Sequence, residues 1–352
     1  MNITKTKPQI EVRNSSFELL RIISMVLIIM HHYAYKIGTD YITPFSGNFF
    51  FLQTFYMFGK LGVNLFVFIS GYFLCSKEFH LSKLIKLEIQ VVFYSFFITL
   101  IFQIILTSGT EKKLLIESLF PLFTFKYWFY NTYFVLYLLF PFLNIFIRNT
   151  SKKYFSRLII ILLFIWTILP IFPKIHPLEK SNLGWFILLY FSGAYIKKYN
   201  SDFRHKAIYY INLSLALTAI LLLQVCLFDI LGTKEITFRK HFDYFQPMNS
   251  IFMFSIAALL FIAFSKINFH CKFINKVGNT TFGIYLIHNQ KLVSNFLWGG
   301  VFNFYSKIDE LSLIPFSFIA ILAVFTICSI IEFLRNFAEQ KIIELYKKIK
   351  HN

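Results

Sequence analysis

A polar stripe on the first apolar segment carries the residue types with the clearest chemical potential. Glu18 and Arg21 are three residues apart, and His32 follows Arg21 by eleven residues, which is close to three turns of an α-helix. A carboxylate, a guanidinium and an imidazole therefore share one helix face, with His32 about 16 Å along the axis from Arg21. A neutral imidazole is a group that acts as a general base. The competing interpretation is that these side chains snorkel to the two membrane interfaces.

Two other apolar segments contain polar side chains that need a reason to lie in a bilayer. Asn64 and Ser70 lie in Gly62-Val-Asn-Leu-Phe-Val-Phe-Ile-Ser-Gly-Tyr, where they could bind substrate or join packed helices. Tyr285 and His288, three residues apart, share a helix face inside the bundle, where they belong to a site or form a hydrogen-bonded pair between helices.

A basic pair and an aromatic cluster stand at the ends of segments. Lys83 and Lys86 are one helical turn apart and suit either a phosphate or anionic lipid headgroups. Trp128 lies in Tyr127-Trp-Phe-Tyr, which is either part of an aromatic belt or a platform for stacking a sugar. The chain has no Walker loop, GxSxG or HExxH motif, and the adjacent His31 and His32 diverge on a helix, so we expect no metal site.

The composition defines what must position these residues. Of 352 residues, 57% are hydrophobic and 15% charged, which is too apolar and too poor in charge for a soluble domain. The net charge of +18 is spread over short loops, so we expect a membrane surface and no nucleic-acid partner. The fold class is therefore an all-α, polytopic membrane helix bundle.

We predict ten transmembrane helices, since each crossing needs about 20 apolar residues. Loops on the side of the N-terminus hold 22 Lys and Arg, against 11 on the other side, which predicts that both termini are cytoplasmic. We expect an N-terminal tail at 1–15, a transmembrane domain at 16–338 and a C-terminal tail at 339–352. The predicted spans are 16–36, 51–75, 84–107, 127–147, 158–173, 183–199, 207–230, 247–265, 279–299 and 311–334.

Four motifs, in order along nearly the whole chain, give a family resemblance. They are Phe17-Glu-Leu-Leu-Arg21 with ten residues before His32, Asn64-Leu-Phe-Val-Phe-Ile-Ser-Gly-Tyr-Phe-Leu, Tyr127-Trp-Phe through Phe140-Pro141, and Gly283-Ile-Tyr-Leu-Ile-His288. With these motifs the chain resembles the integral-membrane acyltransferase 3 family, the bacterial enzymes that O-acylate cell-surface polysaccharides.

The resemblance implies a substrate pair and a location. The donor is acetyl-CoA or another acyl-CoA from the cytoplasm, no cofactor is bound, and the acceptor is a sugar hydroxyl of a surface polysaccharide or lipid-linked oligosaccharide, such as a capsule or cell-wall glycan. The enzyme is then a multi-pass O-acetyltransferase of a bacterial cell membrane.

The resemblance also implies roles for residues. His32, Arg21 and Glu18 form the expected catalytic set, with His32 as general base or acyl carrier. Lys83 and Lys86 fall near the family's paired arginines, thought to hold coenzyme A phosphates, although lysine lacks the bidentate geometry of arginine. The expected substrate-binding residues are Tyr285, His288, Trp128, Asn64 and Ser70. The alternatives are a transporter or flippase of a lipid-linked sugar, and a member of the same family with a non-sugar acceptor.

Overall fold

The computed structural model describes residues 13–38, 42–106, 111–172, 182–303 and 310–351, and these ranges contain helices and no strand. The principal helices are α1 (Ser15–Ile37), α2 (Gly47–Leu74), α3 (Leu81–Leu106), α4 (Lys112–Leu119), α5 (Trp128–Asn149), α6 (Lys152–Leu163), α7 (Asn182–Lys198), α8 (Ala207–Leu231), α9 (Ile236–Lys240), α10 (Ile251–Ser265), α11 (Lys272–Gly278), α12 (Thr281–His288), α13 (Lys291–Phe296) and α14 (Leu313–His351).

The predicted apolar segments fall on helices, and the all-α fold class is confirmed. Seven helical stretches in the described residues are long and apolar enough to cross a membrane: α1, α2, α3, α5, α8, α14 and the continuous stretch Lys152–Ile171 that begins with α6. Of the remaining predicted spans, α7 and α10 have 17 and 15 residues. The count of ten crossings therefore stays a prediction.

The ninth predicted span is broken inside the bundle. Helix α12 ends at His288, and α13 starts after Gln290, whose side-chain oxygen accepts hydrogen bonds from the backbone N–H groups of Leu292 and Val293. A helix interruption at membrane depth is tolerated where side chains satisfy the freed backbone groups and where the segment borders a cavity. Asn289 therefore lies in the break, directly after His288.

Local sequence determines where α1 begins and ends. Asn14 is the N-cap, with its side-chain oxygen accepting from the Ser16 backbone N–H at 3.0 Å, while its amide donates to Ile267 O at 3.0 Å. Glu18 in the first turn is favourable at the positive end of the helix dipole. The helix ends at Gly38, whose φ of 70° is a conformation that glycine adopts readily.

Side-chain contacts connect loop segments at each of the two ends of the bundle. At one end of the bundle, Lys197 Nζ donates to Ser76 Oγ at 2.7 Å, and Lys86 pairs with Glu339 at 2.8 Å. At the other end, Asn48 donates to Glu310 O at 2.8 Å. The contacts at the first end join segments that the charge bias assigns to the cytoplasm, and α14 continues through most of the predicted C-terminal tail.

Helices α2 and α7 cross closely at two glycines. A Cβ on Gly71 would collide with the backbone of Tyr190, and a Cβ on Gly193 would collide with Phe68 O. Small residues at such crossings let two backbones approach, which gives the van der Waals contact that holds membrane helices together. This crossing keeps α7 buried at the centre of the bundle, with Trp185, Phe186 and Tyr190 at most 2% exposed.

We expect Gly71→Ala to destabilise the protein by about 1–3 kcal/mol, because the backbone of Tyr190 cannot yield as a flexible side chain would. Thermal unfolding in detergent, followed by size-exclusion chromatography of the remaining folded protein, measures the effect. Gly299→Ala is the matched control, since a Cβ there meets no atom within 4 Å. Equal melting temperatures for the two variants would contradict the role of this crossing.

Candidate functional site

One face of α1 lines a cavity inside the bundle. Arg21, Met25, Ile28 and His32 follow one another at helical spacing along its wall, and the cavity has a volume of about 340 Å³. The remaining wall comes from α2, α3, α5 and the segment from α11 to α12. It is formed by Val63, Phe66, Ser70, Leu87, Gln90, Trp128, Phe129, Tyr133, Gly278, Asn279, Thr281, Phe282 and Tyr285.

Glu18 fixes the guanidinium at one end of this cavity, which we call the Arg21 cavity. Glu18 Oε1 accepts from Arg21 Nη1 at 2.5 Å and from Arg13 Nη2 at 2.5 Å. Glu18 itself is 3% exposed and lies outside the cavity wall, with its other side packed against Gly278. Two guanidinium groups share one carboxylate, so this end keeps a net positive charge.

Two imidazoles form a hydrogen-bonded chain at the far end. His288 Nδ1 lies 2.6 Å from Ile284 O, and His32 Nδ1 lies 3.0 Å from His288 Nε2. A carbonyl only accepts, so the proton of a neutral His288 resides on Nδ1 and its Nε2 is an acceptor. His32 must then donate from Nδ1, which leaves the lone pair of its own Nε2 available.

A second cavity meets the first at His32. It has a volume of about 350 Å³ and we call it the lysine cavity. His32 is the one residue that lines both cavities among the described residues. The other residues that line the lysine cavity are His31, Tyr35, Lys36, Tyr56, Lys60, Asn289 and Ser294. His32 therefore borders two separate spaces.

The predicted substrate-binding residues divide into two groups. The Arg21 cavity is lined by Trp128, Tyr285 and Ser70, and His288 is hydrogen-bonded to His32, which lines the same cavity. Asn64 is different: it is fully buried, outside the wall, and its amide donates to Met248 O at 2.9 Å while its oxygen accepts from the Trp185 indole at 2.9 Å. The structure therefore gives Asn64 a joining position between α2, α7 and the start of α10.

The predicted basic pair lies outside both cavity walls. Lys86 Nζ pairs with Glu339 Oε1 at 2.8 Å, which ties the start of α3 to α14, and Lys83 is exposed. The same helix does reach the Arg21 cavity one turn further on, through Leu87 and Gln90. These lysines therefore lie on the same helix as two residues of the cavity wall, but they do not form the wall.

A buried polar network behind the wall was missed by the sequence reasoning. Gln90 donates to Glu332 Oε1 at 3.0 Å, and the Tyr94 hydroxyl donates to Glu332 Oε2 at 2.5 Å. Arg335 adds two bonds of 2.9 Å to the same carboxylate, which is 1% exposed. The network holds Gln90 in the cavity wall. Glu332 is an acid inside an apolar segment, so the same rule that selected Glu18 would have found it.

The arrangement suits group transfer between two substrates that approach from different spaces. It offers an orienting pair of histidines, a cationic end for an anionic donor, and a mostly apolar wall that limits water. Across the described ranges, no three His, Cys, Asp or Glu side chains come together in a metal-binding arrangement. The fold and the site define a multi-pass helical membrane protein with an imidazole between two cavities.

The family of this membrane protein is established by comparison with known proteins. A family model described as an acyltransferase domain matches residues 14–333, nearly the whole chain. The chain belongs to this family, acyltransferase 3, and the protein is a membrane acyltransferase. No curated protein and no solved structure matches it. The family assignment favours acyl transfer over the transporter alternative.

We expect Glu332→Leu to destabilise the protein by about 3–5 kcal/mol, because it leaves the largely buried guanidinium of Arg335 without its principal partner. Glu344→Leu is the matched control on the same helix, where the pair with Lys341 is exposed and contributes at most about 1 kcal/mol. Melting temperatures in detergent measure both. If the two variants melt together, the network does not support the cavity wall.

Proposed function

We propose that the protein is an acyl-CoA-dependent O-acyltransferase, most specifically an O-acetyltransferase, acting on a sugar hydroxyl of a surface polysaccharide or its lipid-linked precursor in a bacterial cell membrane. The observation that carries this proposal is the position of His32 in the walls of both cavities. A donor in the Arg21 cavity and an acceptor in the lysine cavity meet at one imidazole. Membership of the acyltransferase family supports the reaction class.

The hydrogen-bonded chain supports a general-base role for His32. With Nδ1 donating to His288, Nε2 of His32 is free to accept the proton of the acceptor hydroxyl as its oxygen attacks the thioester carbonyl carbon. The tetrahedral intermediate then breaks its C–S bond. The proton on His32 passes to the leaving thiolate, giving an ester and free coenzyme A, and the imidazole returns to its neutral form.

The geometry favours direct transfer over an acyl-histidine. Both cavities reach the same ring, so donor and acceptor are able to bind together and no relay of the acyl group is required. The covalent route predicts that labelled acyl-CoA without acceptor leaves label on His32, whereas the direct route predicts none.

At the donor side, Arg21 is the expected partner of a coenzyme A phosphate. It lies about 16 Å along α1 from His32, which is too far to stabilise charge on the reacting carbonyl but suits the other end of an extended donor. Glu18 then acts as a positioning residue through its 2.5 Å bond to Arg21. Lys83 and Lys86 would attract the anionic donor to the mouth of the cavity.

Also at the donor side, the wall of the Arg21 cavity offers groups that orient a substrate. Trp128 and Tyr285 supply aromatic faces, and Ser70 supplies a hydroxyl in the Arg21 cavity. We assign to these three a role in holding the acyl donor along the Arg21 cavity. Asn64 supports the packing of α2 and takes no direct part.

We expect His32→Gln to lower acyl transfer by about 10²–10⁴-fold, the usual contribution of a general base, because the amide offers no basic nitrogen. The measurement is the O-acetyl content of surface polysaccharide by NMR, in cells that express each variant at the same level. The matched control is His205→Gln, since His205 is an exposed histidine that stacks on Tyr209 far along the chain from either cavity. Unchanged acetylation in His32→Gln would end the catalytic assignment.

We expect His288→Leu to lower kcat by about 10- to 100-fold with little change in the KM for acyl-CoA, because the orientation and tautomer of His32 are lost while the donor site is intact. His288→Gln should restore part of the rate, since its amide oxygen accepts from His32 Nδ1. Steady-state release of coenzyme A measures both parameters. A purely structural residue would instead lose activity in proportion to folded protein, with no recovery in His288→Gln.

A further inference from the structure

The lysine cavity contains a cation at an unusual depth. Lys60 is in the middle of α2, about 20 Å along the axis from the start of that helix at Gly47. It is half-buried, and its ammonium group lies 5.9 Å from the centre of the Tyr56 ring. A lysine within a transmembrane helix is costly unless it faces a cavity and serves a function.

A second lysine from a neighbouring helix completes the pair. Lys36 lies in the last turn of α1 and donates to Asn295 Oδ1 at 3.2 Å. Both lysines line the same cavity, and both lie within electrostatic range of the His32 ring. Two cations therefore border the space from which a hydroxyl would reach the reactive nitrogen.

The lining residues carry no carboxylate to balance these charges. Within the part of the chain that the structure describes, the nearby acid is Asp243, which interacts with Lys60 and with the Tyr56 hydroxyl from outside the lining. Among the described residues, one carboxylate therefore stands against two ammonium groups, which gives this part of the cavity an excess of positive charge. His31 adds no negative charge to balance them: its Nδ1 donates to Tyr56 O at 2.5 Å, and an imidazole is never an anion in this role.

We propose that the lysine cavity binds an anionic acceptor: a sugar that carries a carboxylate or a phosphate group, held by Lys36 and Lys60 with its hydroxyl at His32. This inference rests on the proposed function and specifies its acceptor. Tyr35 and Tyr56 flank the lysines and supply the aromatic faces on which a sugar ring packs. The neutral hydroxyl to be acylated and the anionic group would thus be recognised by different side chains.

The test uses binding, so that it does not depend on turnover. The probes are octyl glucuronide, octyl glucoside and dodecyl phosphoryl glucose, and the protein is the full chain in phosphatidylcholine nanodiscs, measured by microscale thermophoresis. We expect both anionic probes to bind at least about tenfold more tightly than octyl glucoside, and the difference to shrink as salt is raised. A preference for one anionic probe identifies carboxylate or phosphate as the natural group.

Two substitutions locate the preference. Lys60→Met and Lys36→Met should each weaken the anionic probes by about tenfold and leave octyl glucoside unchanged, while Lys60→Arg keeps the preference. Lys112→Met is the matched control, because Lys112 is exposed on α4 and lines neither cavity.

Three results would overturn the proposal: equal binding of charged and neutral probes, a preference that survives in Lys60→Met and Lys36→Met, or loss of probe binding when phosphatidylglycerol is added, which would make the site one for anionic lipid. None of these results affects the proposed acyl transfer, which is tested separately through His32→Gln. Conversely, unchanged acetylation in His32→Gln leaves a measured anion preference in place as a property of the cavity.

Discussion

The hydrogen bond between His32 and His288 is the interaction on which the site depends. Inside an apolar bundle the N–H group of an imidazole needs an acceptor, and an unsatisfied one is expensive. The backbone carbonyl of Ile284 fixes the proton of His288, and His288 in turn fixes that of His32. The free lone pair is therefore a consequence of the fold of α12. The lone pair on His32 Nε2 is free because the first group in this series of hydrogen bonds is the Ile284 carbonyl, which can only accept.

The packing of the helices follows from the need to bring that pair together. Gly59 accommodates His31, and Gly62 lets α2 approach the backbone of α1 at Ser24. Helix α12 ends at His288, and Asn289, which lies in the break before α13, lines the lysine cavity. The close approach of α2 to α1 and the break between α12 and α13 thus both lie beside His32, where the two cavities meet.

Much of this could be predicted from the sequence, and the reason is the high cost of polar groups in a bilayer. The spacing of Arg21 and His32 predicted a shared face, and both residues do line one cavity. The meeting of His32 with His288 could not be predicted, because it depends on which helices are neighbours, and periodicity within one segment carries no such information. Asn64 shows the converse limit: its partners, Met248 and Trp185, come from distant segments. Glu332 was within reach of the same rule but lay in the final span, where no motif drew attention to it.

Each of the two cavities is bordered by basic side chains. In the part of the chain that the structure describes, Arg13 and Arg21 share one carboxylate at one end, and Lys36 and Lys60 have one nearby acid at the other. The ring of His32 lies between these two groups of cations. Under the proposed function, cations on both sides favour anionic groups at the far ends of both substrates, which leaves the uncharged thioester and hydroxyl at the imidazole between them. The wall of the Arg21 cavity is largely apolar, and in the proposed reaction this limits the water that would compete with the acceptor for the acyl group. In such an arrangement the charged parts of the substrates provide binding energy at a distance, and the reacting atoms meet where the protein has placed a single basic nitrogen.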